Sequence, residues 1–160
     1  MANGIVTGKR KFLVVVDDTP ECHKALRYAW RRAKQTDGAV SLLRVLHPAD
    51  FQHWLAVQEK MREDAMAEAE NLLRSLAAKV NQESGLLPEL VVREGDARDV
   101  VLKLIEEDRD IRVLVLGAAP GDQGPGPLVS HIAGKISGSM HIPVTLVPGS
   151  LTDVQIDELT

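Results

Sequence analysis

The sequence predicts an α/β fold, a three-layer sandwich in which helices cover both faces of a five-stranded parallel sheet. Two observations lead to this prediction. Short apolar runs alternate with segments of helical periodicity along the 160 residues, which is the pattern of right-handed strand–helix–strand crossovers. The apolar runs are hydrophobic almost without interruption, as strands buried on both faces are.

Five strands are predicted from these runs. The first, KFLVVVD, ends on an acidic residue, and the fourth, RVLVLG, ends on a glycine. No internal repeat or low-complexity linker separates them, so we expect one sheet in one domain. In chain order the runs are Lys11–Asp17, Val40–Leu46, Glu89–Arg93, Arg112–Gly117 and Val144–Val147.

Four helices are predicted between the strands. The first has Thr19 at its N-cap and Pro20 at its first position, and the third has Asp96 at its N-cap. The second runs roughly from Phe51 to Asn81, and its charged middle segment indicates a solvated face. The fourth follows a glycine-rich loop, and its apolar residues recur every four positions: Leu128, Ile132, Ile136 and Met140.

Composition and charge restrict the possible functions. The chain is 44% hydrophobic and has a net charge of −4. Its basic residues form no stripe along the sequence, so we expect no nucleic-acid partner. No apolar segment has the length of a signal-peptide core or of a membrane span, and we expect no membrane contact. We divide the chain into an N-terminal arm (1–10), a single domain (11–149) and a C-terminal tail (150–160).

The single cysteine, Cys22, excludes an intrachain disulfide and favours a reducing compartment, so we expect a cytoplasmic protein. Cys22 lies in the first turn of the first helix, where we interpret it as a packing residue rather than a reactive thiol. The histidines do not have the spacing of metal ligands, and no zinc site is predicted.

Two loops carry the residues that could bind a ligand. Asp17, Asp18 and Thr19 come directly after the first strand, and the stretch LGAAPGDQGPGPLVS (116–130) follows the fourth. If strands one and four are neighbours, both loops lie where the strand order reverses, which is where open parallel sheets bind ligands. A carboxylate there can accept hydrogen bonds from ribose hydroxyls, and glycines allow backbone N–H groups to approach phosphate oxygens.

Three parts of the sequence resemble the universal stress protein family: VVVDDTPE, then GDARDVVLKLIEE with IRVLVLG, and the closing HIPVTLV. The resemblance covers nearly the full chain. It implies a Rossmann-like sheet of the adenine nucleotide alpha hydrolase type, with strand order 3-2-1-4-5. It also implies a homodimer through the fifth strand, whose run PVTLVP would otherwise expose a sheet edge. Some family members bind ATP through a G-x2-G-x9-G-[ST] motif after the fourth strand, and others lack the motif and bind no nucleotide.

The resemblance assigns three positions of the candidate site directly. Asp17 matches the family's strand-one acid near the nucleotide, Val45 matches the strand-two position whose backbone meets the adenine, and Gly117 matches the first glycine of the motif. The rest of the motif fits in two registers. Without a gap, the matching residues are Pro120, Ser130 and His131, and with a shift of four residues they are Gly121, Gly124, Gly134 and Lys135.

We prefer the ungapped register, because it places Ile132 and Ile136 at core positions of the family and preserves the distance to Pro143. The ungapped register predicts weaker contacts between the loop and a phosphate, because Pro120 has no N–H to donate. The flexible glycines and the first amides of the fourth helix offer another route, and we expect the loop 118–127 to be mobile until an anion binds. The candidate binding residues are Asp17, Thr19, Val45, Gly117, Gly121, Gly124, Gly126, Ser130 and His131.

Several functions are compatible with these residues. The resemblance implies a stress-response module that binds adenine nucleotide, with ATP as the candidate cofactor, or a degenerate dimeric module that binds none and serves an unknown protein partner. A receiver domain has a similar acidic pair after its first strand, but it also needs an aspartate after strand three and a lysine after strand five. This chain reads ELVVREGD and VTLVPG at those places, so the lysine is missing. An ATP-hydrolysing or adenylating enzyme needs a compact phosphate loop after strand one, where this chain has Asp18, Thr19 and Pro20, so we predict no catalysis.

Overall fold

The computed structural model describes residues 8–48 and 55–160. Within these residues the strands are β1 (Lys11–Val15), β2 (Ala39–Leu46), β3 (Glu89–Glu94), β4 (Ile111–Ala118) and β5 (Val144–Pro148). They form one parallel sheet in the order β3-β2-β1-β4-β5. Val14, at the centre of the sheet, is aligned with Leu42 on one side and with Val115 on the other. The predicted fold class and strand order are therefore confirmed.

The described helices are α1 (Pro20–Gln35), α2 (Leu55–Ser84), α3 (Ala97–Glu107), α4 (Pro127–His131) and α5 (Asp153–Leu159). Asp96 caps α3 as predicted, because its side chain accepts a hydrogen bond from the Arg98 N–H at 3.0 Å. Residues 51–54, where the second helix was predicted to begin, lie outside the described residues. None of the helices in the described ranges is both long enough and apolar enough to span a membrane.

The fourth helix differs from its prediction. Only Pro127–His131 are α-helical, and a π-helical turn (Ile132–Ile136) and a 3-10 turn (Ser137–Ser139) follow. A strict four-residue repeat drifts around an α-helix of 3.6 residues per turn, whereas a wider turn keeps such residues on one side. Ile132 is accordingly buried, and Leu128 and Met140 pack on the same apolar cluster. The side chains of Lys135 and Ile136 lie outside the described part of the structure.

The core has two main apolar clusters, one on each face of the sheet, because side chains alternate along each strand. In β1 and the residue after it, Phe12, Val14 and Val16 pack with α1, α2 and α5. Leu13 and Val15 belong to the cluster that packs with α3 and α4. The chain is therefore layered as helices, sheet and helices, as its near-continuous apolar runs predict.

Helix α5 lies in the segment that the sequence analysis separated as a tail. It begins with a capping box between Thr152 and Gln155, and Ile156 is completely buried in the cluster that contains α1. Arg27 of α1 donates two hydrogen bonds to the Asp157 carboxylate, at 2.7 and 2.8 Å. These bonds hold the pKa of Asp157 below its ordinary value. The C-terminal residues are thus attached to α1, and the boundary at residue 149 stays a prediction.

The burial of Ile156 leads to a test of this attachment. We expect Ile156→Ala to lower the free energy of unfolding by about 2–5 kcal/mol, because it leaves a cavity under α5. The matched control is Val154→Ala in the same helix, where the side chain is 66% exposed; its effect should be close to zero. Urea denaturation of the two variants measures the difference, and equal stabilities would show that α5 contributes no core.

Candidate functional site

A cavity of about 500 Å³ opens at the carboxyl ends of β1 and β2, on the face of the sheet that α3 and α4 cover. We call it the crevice. Asp17 and Val45 line it from the strand ends, Ala97 and Arg98 from the start of α3, and Leu128 from α4. A site in this position lies beside the point where the order of the strands reverses, between β1 and β4.

A smaller cavity of about 120 Å³ adjoins the crevice at the carboxyl end of β4. We call it the side cavity. Thr19, Gly117 and Gly126 line it, and it shares four lining residues with the crevice: Val15, Asp17, Pro127 and Leu128. The loops after β1 and β4 therefore meet, as the sequence analysis predicted for neighbouring strands.

Asp17 is exposed and forms the turn that leads into α1. Its Oδ1 accepts a hydrogen bond from the Thr19 N–H at 2.9 Å and another from the Thr19 hydroxyl. The Thr19 side chain consequently makes no cap on α1, although Thr19 is the N-cap residue and Pro20 follows it as predicted. The Oδ2 atom of Asp17 has no hydrogen bond to any described residue, so it can accept one from a ligand.

Gly117 is required by packing. A Cβ at this position would lie 2.7 Å from the carbonyl carbon of Glu21 and closer still to its oxygen. Gly149 is similarly restricted, because its Cβ would lie 2.9 Å from the Cβ of Glu21. The first turn of α1 thus lies directly against the ends of β4 and β5, and this contact by itself explains why residue 117 is a glycine.

The glycines of the strand-four loop are required by their backbone conformation. Gly121, Gly124 and Gly126 have φ angles of 95°, 86° and 109°, which side chains disfavour, and no atom lies within 4 Å of a Cβ built on them. The base of the loop is closed by a 3.1 Å hydrogen bond from the Ala119 N–H to the Pro125 carbonyl. Of the three glycines, Gly126 alone lines either cavity. The ordering of this loop by an anion stays a prediction.

Ser130 and His131 line neither cavity. Ser130 is exposed, and its N–H already donates to the Gly126 carbonyl at 2.9 Å. Contrary to the prediction, that amide is therefore not available to an anion. In the short α4, Leu128 lines both cavities and Val129 lines the side cavity, whereas Ser130 and His131 lie beyond them.

Four polar residues of the crevice were not among the predicted site residues: Arg44, His47, Asp96 and Arg98. Arg44 donates to the Val16 carbonyl at 3.3 Å and to Asp18 at 3.2 Å. Arg98 makes two hydrogen bonds to Asp96, at 3.0 and 3.1 Å, and this pairing lowers the pKa of Asp96 to about 2. Arg44 lies near the carboxyl end of β2, His47 directly follows that strand, and Asp96 and Arg98 follow β3. These positions were the available signal, because parallel strands bring their carboxyl ends to one edge.

The two cavities differ in charge. Two arginines, Arg44 and Arg98, line the crevice together with two aspartates, Asp17 and Asp96. The charged residues that line the side cavity in the described structure are the acids Asp17 and Glu21, and two of its other lining residues, Pro125 and Pro127, have no N–H to donate. An anionic group is thus less disfavoured in the crevice, where cationic side chains balance the acids, than in the side cavity, where the described charged residues are acids alone.

Cys22 lies just behind this site and is 3% exposed. Its Sγ is 4.0 Å from the Val15 carbonyl. Burial raises the pKa of the thiol to about 11, so the residue is neutral at physiological pH and packs in the core. The interpretation of Cys22 as a packing residue is confirmed.

The sequence and the fold are both similar to those of known proteins. A profile of the universal stress protein family matches residues 9–148. The solved structure of universal stress protein UspA from Lactobacillus plantarum is similar, at 18% identity and a TM-score of 0.73, with 86% of this chain and 97% of that chain covered. No curated protein sequence matches the chain.

Two further solved structures were obtained with nucleotides. A universal stress protein family protein from Arabidopsis thaliana with AMP bound is 20% identical, with a TM-score of 0.58 and coverage of 87% of this chain and 91% of that chain. A universal stress protein in complex with cAMP is 14% identical, with the same TM-score and coverage of 89% and 98%. At these identities the likeness shows a shared fold.

The packing of Gly117 predicts how its substitution acts. We expect Gly117→Ala to destabilise the fold by about 1–3 kcal/mol, because its methyl group would overlap the Glu21 backbone. Gly134→Ala is the matched control, since no atom lies within 4 Å of its Cβ position. Thermal unfolding followed by circular dichroism compares the two. Unchanged stability of Gly117→Ala would contradict the packing explanation and leave ligand approach as the reason for this glycine.

Proposed function

Since the chain belongs to the universal stress protein family, we propose that it is a stress-response module that binds an adenine nucleotide in the crevice without turning it over. The observation that carries the proposal is the meeting of Asp17 and Val45 in one cavity of about 500 Å³ at the point where the strand order reverses. The relatives solved with AMP and with cAMP support the choice of ligand.

The chemistry of the crevice suits the nucleoside. Asp17 has a free carboxylate oxygen for a ribose hydroxyl, and Val45 borders a space with apolar walls from Val15, Val16 and Leu128. Apolar walls with a few polar groups are typical of pockets for small ligands. The sequence-predicted contacts to Ser130 and His131 are not part of this proposal.

The charges favour a nucleotide with a short phosphate chain. A triphosphate extending from the ribose into the side cavity would meet Glu21 as well as Asp17, with no arginine among the described lining residues, whereas a single phosphate can remain in the crevice, which Arg44 and Arg98 line. We therefore propose AMP or a cyclic nucleotide in preference to ATP. The same charges oppose catalysis, because phosphoryl transfer needs cationic groups around the phosphates.

The proposed assembly is a homodimer through β5. This strand is at one end of the described sheet, and Leu146 on it is 41% exposed. An apolar edge strand favours pairing with another copy, and Pro143 and Pro148 limit the length of the ladder that can form. A single, buried cysteine is compatible with the reducing cytoplasm, where we propose that the protein acts.

Nucleotide binding can be tested at Asp17. We expect AMP to bind at least as tightly as ATP, and Asp17→Ala to weaken AMP binding about tenfold through loss of the hydrogen bond to the ribose. Asp17→Asn keeps an oxygen for the Thr19 turn and should weaken binding less. Isothermal titration calorimetry gives each dissociation constant.

The control for that experiment is Asp64→Ala on α2, an exposed aspartate that lines neither cavity; it should leave binding unchanged. Equal affinity of wild type and Asp17→Ala would remove Asp17 from the site. ATP binding ten times more tightly than AMP would contradict the charge argument. Absence of binding by either nucleotide would favour the non-binding, dimeric module.

The dimer can be tested at the exposed leucine of β5. We expect the wild-type chain to have the mass of two copies by light scattering at micromolar concentration, and Leu146→Lys to be monomeric because it places a charge in the pairing edge. Leu87→Lys, at a leucine that is 83% exposed and outside β5, should remain dimeric. A monomeric wild-type protein would refute the proposed assembly.

A further inference from the structure

Another cavity, of about 580 Å³, lies at the opposite edge of the sheet from the crevice. We call it the lower cavity. It is formed by the last turns of α3, by the start of β4 and by residues 139–142 before β5. Nothing in the proposed nucleotide function uses this space, which is of the size that small-molecule ligands occupy.

The floor of the lower cavity is apolar. Ile105 and Ile111 line it and are 8% and 2% exposed. Met140 and Ile142 also line it and are partly buried against the same core cluster. A hydrocarbon group bound here would extend this cluster and be removed from water, which is favourable in proportion to the area buried.

Among the described residues, the charged side chains that line the lower cavity are Arg109, Arg112 and Glu106, with His141 beside them. Other arginines of the fold are paired: Arg27 and Arg31 with Asp157, Arg98 with Asp96. The side chains of Arg109 and Arg112 are exposed and form no ion pair or hydrogen bond with any residue that the structure describes. Two arginines against one glutamate give the described lining residues a net charge of +1 when His141 is neutral, in a chain whose net charge is −4.

We propose that the lower cavity binds a small monocarboxylate with a hydrocarbon tail. The apolar floor takes the tail, and the guanidinium groups of Arg109 and Arg112 take the carboxylate, which they can hold in a two-pronged geometry. The single positive charge of the lining matches a monoanion. A phosphate dianion would be repelled by Glu106, so nucleotides are poorly suited to this cavity.

The experiment is a titration of the full chain with octanoate, monitored by calorimetry. Two ligands serve as controls: octan-1-ol has the tail without the charge, and acetate has the charge with almost no tail. We expect octanoate to bind at least tenfold more tightly than either. Arg109→Gln and Arg112→Gln should each weaken octanoate binding fivefold or more, whereas Arg74→Gln, on the exposed side of α2, should not change it.

The position of the ligand can be read from methionine methyl groups by NMR. Octanoate should shift the methyl signal of Met140, which lines the cavity, and leave those of Met61 and Met66 on α2 unchanged. Equal binding of octanol and octanoate, equal binding of acetate, or an unshifted Met140 signal would each overturn the proposal.

A further measurement distinguishes this site from the proposed nucleotide site. Octanoate binding should be the same in Asp17→Ala as in the wild type, and the same with or without AMP. Failure of AMP to bind would therefore leave this proposal standing. Displacement of octanoate by AMP would overturn it, since it would place both ligands in one cavity.

Discussion

The close packing of the first turn of α1 against the ends of β4 and β5 determines the arrangement of the carboxyl edge of the sheet. Gly117 and Gly149 both face Glu21, and at neither position is there room for a Cβ. Because α1 starts there, the turn that precedes it is held at the boundary between β1 and β4. Asp17 completes the turn through its bonds to Thr19, and the remaining carboxylate oxygen stays available at the crevice.

The crevice and the lower cavity lie on the same face of the sheet, at its two opposite edges. Between them is a closely packed apolar cluster that includes Leu13, Leu43 and Leu114, all completely buried. Helix α3 covers this cluster, so its first residues border the crevice and its last turns border the lower cavity. A packed core leaves no open passage between the two spaces, and each can be occupied by a ligand of its own chemistry.

Charge distinguishes these spaces more clearly than shape does. Arg98 at the crevice makes two hydrogen bonds to Asp96, and this pairing lowers the pKa of the Asp96 carboxyl to about 2. The charge of Arg98 is therefore largely balanced within the protein. Arg109 and Arg112 have no such partner in the described structure. Their charge can instead be matched by a ligand.

The sequence by itself determined the fold class, the cap of α3 and the burial of Cys22, because apolar runs, cap residues and a single thiol are local features. With the family resemblance it also determined the strand order and the meeting of the loops after β1 and β4. Only the tertiary structure decided that Gly117 faces Glu21, that α5 packs on α1, and that Ser130 and His131 lie outside the cavities. It also placed Arg44 and Arg98 in the crevice. These features depend on which distant segments become neighbours and on how a helix turn widens, and no local pattern of residues specifies either.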